Sequence, residues 1–223
     1  MSKPGGFRRI DLDERHHLYL GRLPDSLILD DDRFEAIWSL HPTSYHEIRV
    51  HHRLVKTPRW QQAYGRSYVF SGSESPALPI PGVLAPLLGW CKATVHTRLN
   101  GLLLNWYDGA LGHYISAHRD SRRNLIAGAP IVTLSFGEER IFRLRPYRGK
   151  GRYIDLDAVD GDVFIMPYAT NLAWTHELPR LKRYRGRRIS VTVRAFDTGG
   201  RCNGFPSTKR CKRVSASLHR RGS

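Results

Sequence analysis

The pattern of hydrophobic and polar positions changes character near Leu99. Before it, the chain reads as helix and loop. Asp30, Asp31 and Asp32 precede Arg33-Phe-Glu-Ala-Ile-Trp-Ser-Leu40, and acids in the first turn favour a helix there. Residues 81–93 predict a second, apolar helix, with Pro81 tolerated near its start. Between them Tyr68-Val-Phe-Ser71 predicts a short strand that stops at Gly72. After Leu99 the texture is that of short strands, at 102–107, 130–136, 140–145, 153–156, 162–166 and 188–196. Asp108-Gly109, Gly137, Gly149-Lys-Gly151 and Asp160-Gly161 punctuate them as turns. Such strands at regular spacing suggest a sandwich or jelly roll, so the expected class is mainly β with flanking helices (α+β). No internal repeat is present.

Composition narrows the partners. The chain has 223 residues, 40% of them hydrophobic, enough for one domain with a real core and at most half of another. No stretch approaches the roughly 18 apolar residues of a membrane span, and residues 1–10 hold Lys3, Arg8 and Arg9 without an apolar run, so no signal peptide is read. Lysine and arginine number 36 against 20 acids, a net charge of +16. A well-solvated basic surface explains this, and so does a polyanionic partner drawn to the field; the latter is favoured. Charge does not separate DNA from RNA or from membrane phospholipid. The tail from Gly199 carries seven of the cations, Arg201, Lys209, Arg210, Lys212, Arg213, Arg220 and Arg221, and is expected to be disordered and available to phosphates. Cys91, Cys202 and Cys211 form no C-x-x-C pair and are odd in number. That argues against a disulfide framework and a cysteine zinc site, and for an intracellular compartment, cytoplasmic or nuclear.

Two constellations carry chemistry. In His118-Arg119-Asp120 the potential ligands share one face of an extended segment, and His176 follows several strands later. Two histidines and a carboxylate on one side of a metal make the facial triad of non-haem iron oxygenases. With 11 histidines, an H-x-D pair is close to expected by chance, so the pair alone weighs little. Arg188-Ile-Ser-Val-Thr-Val-Arg194 alternates: Ile189, Val191 and Val193 face a core, and Arg188, Ser190, Thr192 and Arg194 face the other way. At ~3.3 Å per residue the arginine Cα atoms sit about 20 Å apart. Side chains reaching roughly 6–7 Å each leave a gap about the length of a small dicarboxylate. The planar fork of arginine suits a carboxylate. An exposed strand face in an arginine-rich protein is the ordinary alternative. Asn105 and Tyr107 share a face of their own strand and can both donate to carboxylate oxygens, although a half-buried aromatic at a strand end needs no ligand.

The ordered series Asn105-x-Tyr107, Asp108-Gly109, His118-x-Asp120, Pro130-Ile-Val-Thr-Leu-Ser-Phe-Gly137, Arg140-x-Phe142, Gly161-Asp162, Trp174-x-His176 and Arg188 to Arg194 resembles the AlkB-type nucleic-acid dealkylating dioxygenases. Upstream, Pro58-Arg59, Gln62-Ala-Tyr-Gly65 and Tyr68-Val-Phe-Ser-Gly72 resemble the segment those proteins carry before the barrel. The resemblance implies a double-stranded β-helix, or jelly roll, with Fe(II) held by His118, Asp120 and His176, and with 2-oxoglutarate and O2 as cosubstrates. It implies that Arg188 and Tyr107 hold the distal carboxylate of 2-oxoglutarate, with Arg194 and Asn105 near its keto-acid end. Tyr68 and Phe70 match positions near a flipped base; Phe70 offers a stacking platform, or else is ordinary strand core. Where these enzymes often carry an acid facing the amine of methylated adenine or cytosine, this chain has Arg122, which cannot accept that proton. Arg122 is expected either in the base pocket or turned outward to a phosphate.

The expected organisation is an extension with a helix over 1–57, a nucleotide-recognition segment over 58–98, the catalytic barrel over 99–198 and the basic tail over 199–223. The expected activity is oxidative dealkylation of bases in DNA or RNA by a monomer without membrane attachment. Hydroxylation of a non-nucleic-acid substrate, or a catalytically idle nucleic-acid-binding module, are the alternatives.

Overall fold

The computed structural model describes residues 6–50, 53–70, 73–149 and 151–197, except the side chains of residues 49, 50 and 70. The basic tail lies outside them. In chain order, β1 (Arg8–Asp11) and β2 (His17–Arg22) form a hairpin, followed by helix α1 (Asp31–Trp38). Then come β3 (Glu47–Val50), β4 (Arg53–Lys56), β5 (Trp60–Tyr64), β6 (Tyr68–Phe70), β7 (Ser73–Ser75), β8 (Ala77–Leu78) and helix α2 (Ala85–Thr94). The barrel continues through β9 (Gly101–Asp108), β10 (Ile115–His118), β11 (Ile131–Gly137), β12 (Arg140–Pro146), β13 (Ile154–Ala158) and β14 (Asp162–Met166). A short helix, α3 (Tyr168–Ala173), leads into β15 (Trp174–Leu178), and β16 (Arg187–Arg194) closes the series.

Among the described residues, eight strands form one sheet in the order β1-β2-β14-β11-β16-β9-β5-β8, and four form a second, β10-β15-β12-β13. Two faced sheets of this kind make a jelly roll. The alternation of β16 does what its sequence asks. Ile189, Val191 and Val193 join Leu104 and Trp106 of β9 and Val132, Leu134 and Phe136 of β11 in a core roofed by Ile37, Leu87 and Cys91 of the helices. Burying each such side chain is worth roughly 1.5–3 kcal/mol. Asp30 caps α1, accepting from the backbone N–H of Arg33 at 2.9 Å, and the Trp106 indole donates to Ile37 O at 3.0 Å, fixing helix to sheet. A second core fills the space between the sheets with Leu18, Ile131, Phe142, Leu144, Phe164, Trp174 and Leu178. Gly137 turns β11 toward β12 at φ +82°, where an added Cβ would stand 2.4 Å from Arg187 O. Only glycine fits that close approach.

The segments expected outside the barrel are built into it. β2 pairs with β14, and β5 pairs with β9, so 1–57 and 58–98 both contribute strands to the larger sheet. Asp13 in the β1–β2 turn accepts from the indole of Trp174 at 2.9 Å and so ties the hairpin to the second sheet. The strand expected over 153–156 runs Ile154–Ala158, and the last strand stops at Arg194, with Phe196 making only a bridge to Leu125.

Candidate metal and cosubstrate site

The antiparallel pairing of β10 with β15 places His118 directly opposite His176. Asp120, just past the end of β10, completes the group, and the ligand atoms of the three all lie within 4.8 Å of one another. The imidazole centroids are 4.3 Å apart. His118 Nδ1 lies 2.8 Å from Ser116 O. A carbonyl can only accept, so Nδ1 holds the proton and the Nε2 lone pair is left to coordinate. Burial, followed by the nearby charge of His176, pulls His118 down to about 3, and burial likewise lowers His176. Both rings are therefore neutral ligands at physiological pH. Burial alone would raise the Asp120 carboxyl, but the charge and hydrogen bonds of Arg194 outweigh it and hold the group below the usual carboxylate range. Two neutral imidazoles and one carboxylate are the donor set that suits iron(II).

Asp120 is gripped from every side. Arg194 donates to both its oxygens, at 2.7 and 3.2 Å, and the Tyr68 hydroxyl donates to Oδ1 at 3.3 Å. Asn171 on α3 holds its backbone, accepting from the N–H at 2.9 Å and donating to the carbonyl at 3.1 Å. Since α3 leads straight into β15, this clamp also sets where His176 enters.

The triad opens into a cavity of about 450 Å³ between the sheets, a size typical of small-molecule sites. Asn105, Tyr107, Arg188 and Arg194 all line it, as do Tyr68 and the three ligand residues. Arg188 stands opposite Tyr107 in the β16–β9 register, its guanidinium 5.4 Å from the ring centre. It is 1% exposed. Nη2 donates to Ser135 Oγ at 3.1 Å, but Nε and Nη1 have no partner among the described residues. Unmet buried donors are costly, and anionic oxygens in the cavity would give them acceptors. Burial lowers Arg188 to about 10, so it remains a cation at neutral pH. Arg59, also buried, donates to Asn105 Oδ1 at 2.7 Å and to Gln61 Oε1 at 3.0 Å. The lining thus holds three buried arginines, with Asp120 paired to one of them. That surplus of positive charge fits a dianion such as 2-oxoglutarate.

Of the residues expected to touch a base, Tyr68 lines the cavity, and the Phe70 side chain lies outside the described residues. Arg122 is exposed and does not line the cavity; it lines a neighbouring recess. No role was assigned from the sequence to three residues. Arg59 was visible only as part of a family-like segment. Asn171 carries no motif. Arg140 is 1% exposed, donates to His113 O at 2.8 Å and pairs with Glu138 at 2.9 Å, and that carboxylate also accepts from the backbone of Arg185 and Gly186. The knot braces the end of the cavity where Arg188 and Tyr107 meet.

Comparison with known proteins agrees with this geometry. The family model described as the 2OG-Fe(II) oxygenase superfamily matches residues 33–194. DNA oxidative demethylase ALKBH2 of Bos taurus is 31% identical over 180 residues, covering 76% of this chain and 62% of that protein. The Mus musculus ALKBH2 is 34% identical, covering 66% of each. The alpha-ketoglutarate-dependent dioxygenase alkB homolog 3 of Rattus norvegicus is 33% identical over 45% of this chain and 36% of its own length. The chain therefore spans just under two thirds of the ALKBH2 relatives. A solved structure titled "The structure of OsALKBH1" superposes with a TM-score of 0.52 at 17% identity, over 84% of this chain and 99% of that one, and shows the shared fold.

Proposed function

Because the chain belongs to the 2OG-Fe(II) oxygenase superfamily, we propose that it is an iron(II)- and 2-oxoglutarate-dependent dioxygenase that removes alkyl groups from nucleic-acid bases. The observation that carries this is a single cavity holding both the His118–Asp120–His176 group and the unmatched donors of Arg188. The names of the ALKBH2 relatives and the net charge of +16 support a DNA substrate, and RNA offers the same phosphodiester backbone.

Bound iron with 2-oxoglutarate and O2 supplies oxidative decarboxylation, giving succinate and CO2 while one oxygen atom passes to the alkyl carbon, after which the hydroxylated group leaves as an aldehyde. The chain's own residues do the placing. His118, Asp120 and His176 would hold the metal; Arg188 and Tyr107 would take the distal carboxylate; Arg194 keeps Asp120 ionised and aimed. Leu103, Phe142 and Leu178 line the cavity with apolar surface and limit water there. Pro58, Arg59 and Tyr68 make the 58–98 segment part of the cavity wall, which supports a recognition role for it. Besides Asp120, the one acid lining the cavity is Glu177, which lies 2.9 Å from Arg145. With Arg122 outside, no carboxylate among the described residues besides Asp120 and Glu177 lines the cavity to accept from the amine of methylated adenine or cytosine. The reading therefore carries no preference for those bases over alkylated thymine, uracil or guanine.

The cysteine count and the burial of Cys91 support an intracellular enzyme. No helix among the described residues is long and apolar enough to cross a membrane.

The test is a reaction with iron(II), 2-oxoglutarate, O2 and a methylated oligonucleotide. Formaldehyde and succinate should appear in equal amounts, and Asp120→Ala should give neither. Succinate that ignores every oligonucleotide would instead indicate a hydroxylase of another substrate. Oligonucleotide binding without any turnover would indicate an idle binding module.

A further inference from the structure

Behind the segment that carries Asp120 lies a second recess of about 310 Å³. Arg119, Ser121, Arg122, Tyr147, Asn171 and Leu172 line it, together with Asp120 itself. Its charge is one-sided. Arg119 and Arg122 are in the lining, Arg123 and Arg148 are exposed nearby in sequence, and the one acid, Asp120, is already paired with Arg194 at 2.7 Å. The arginine at its floor is held in place before anything binds. Arg119 Nη1 donates to Leu172 O at 2.8 Å, and its guanidinium lies 3.5 Å from the ring centre of Tyr147. Arg148 approaches the same ring at 5.1 Å. A planar cation fixed by stacking and by a backbone carbonyl loses little further freedom when an anion arrives. Arg122, exposed, adds a second cation from the rim. The fixed element is also tied to the chemistry, because Asn171 lines the recess and clamps the backbone of Asp120.

We propose that this recess holds a backbone phosphate of the substrate strand close to the target nucleotide, with Arg119 and Arg122 as its cationic walls. The proposal rests on the nucleic-acid reading above. It assigns Arg122 to strand register and not to base choice. Arg119 is the preformed half of the site, and Tyr147 is the residue that keeps it flat. Arg119, Asp120 and Ser121 also line the main cavity, so an anion here would sit beside the site where the base meets the metal.

The experiment is a cycle between protein and strand. The full chain, loaded with manganese(II) and 2-oxoglutarate, is titrated with oligonucleotides that carry one methylated base and one neutral methylphosphonate, moved position by position. For the wild type, one or two positions near the lesion should weaken binding roughly tenfold, the loss of a charge-assisted contact. In Arg122→Gln, and again in Tyr147→Leu, the same neutral position should cost less than about twofold. The slope of log affinity against log salt should also flatten by about 0.7–0.9 in Arg122→Gln, one phosphate's worth. Both changed residues are exposed or nearly so, and the variants are expected to fold. Equal penalties in wild type and both variants would overturn the recess while leaving the enzyme reading intact. Failure of the wild type to bind any alkylated strand would overturn the nucleic-acid reading and this proposal together.

Discussion

Arg188 and Arg194 occupy the two ends of one polar strand face, and the protein treats them in opposite ways. Both are buried, at 1% and 3% exposure. Arg194 has a carboxylate on its fork, the Tyr68 ring 4.3 Å from its guanidinium, and a proton affinity raised by Asp120 despite burial. Among the described residues Arg188 donates only to the hydroxyl of Ser135, with the Tyr107 ring 5.4 Å from its guanidinium, and burial lowers it. The same residue type on the same face is thus a finished ion pair at one end and an open receptor at the other. The finished end fixes Asp120 in the candidate metal site, and the open end leaves two donors that an anion would suit. A strand with period two delivers both to one cavity because side chains two, four and six positions apart point the same way.

The largest effect should come from breaking the finished end. Asp120→Ala removes a ligand and strands Arg194 as a buried, uncompensated cation. Turnover should fall by at least about three orders of magnitude, since a bound metal contributes several kcal/mol to the barrier. Stability should fall by about 3–5 kcal/mol in urea titration, the usual cost of breaking a buried pair. A variant that keeps wild-type stability would show that the pair is not closed in solution. One that keeps turnover would remove Asp120 from the site.

Next is the contrast between conservative changes. Arg188→Lys keeps the charge and loses the fork, so the 2-oxoglutarate requirement should rise about tenfold while manganese(II) affinity stays within twofold. Arg194→Lys should do the reverse, weakening metal about 10–100-fold through the loosened Asp120. Calorimetric titration of each ligand into both variants reads this directly. If the two substitutions shift the same ligand, the two ends of the strand are not distinct.

The alternation that separates these ends was legible in the sequence because it is local. So were the caps of α1 and the turns at Gly137 and Gly161. What was not legible depends on pairing across long stretches of chain. The hairpin β1–β2 looks like a charged N-terminal extension until β2 meets β14, and β5 looks like a linker until it meets β9. Arg59, Asn171 and Arg140 are polar residues whose burial has no periodic signature. Each is kept inside by partners on other segments: Asn105 for Arg59, the Asp120 backbone for Asn171, His113 and Glu138 for Arg140. The triad itself was visible only as residue types, and the register of β10 against β15 is what brings His118 to His176.

A smaller effect should follow from Arg122→Asp, which leaves both ends of β16 untouched. With Arg122 outside the cavity, the change should weaken binding of every alkylated oligonucleotide by a similar factor, roughly tenfold or less. The ratio of activities on methylated cytosine and methylated thymine should not move. A gain on methylated adenine or cytosine alone would place residue 122 at the base after all.

The smallest effect at physiological conditions, and the finest division between the two arginines, is in pH. Burial holds Arg188 near 10 in the folded chain, below the ordinary arginine value of 12.5, whereas Arg194 is raised. A cation with a depressed folded-state value costs stability while protonated, and that cost is relieved as pH rises through about 10 toward the unfolded value. Deprotonation of Arg188 therefore cannot unfold the protein in that window. It can only remove the charge that faces the cosubstrate. The dissociation constant for 2-oxoglutarate should be flat from pH 7 to about 9 and climb about tenfold per unit above about 10, with circular dichroism unchanged. Bound dianion favours the charged guanidinium, so the break in the saturated complex should lie at higher pH than in the empty protein. A flat profile through this range in wild type would show that Arg188 keeps its proton throughout it. A break that persists in Arg188→Met would assign it to another group.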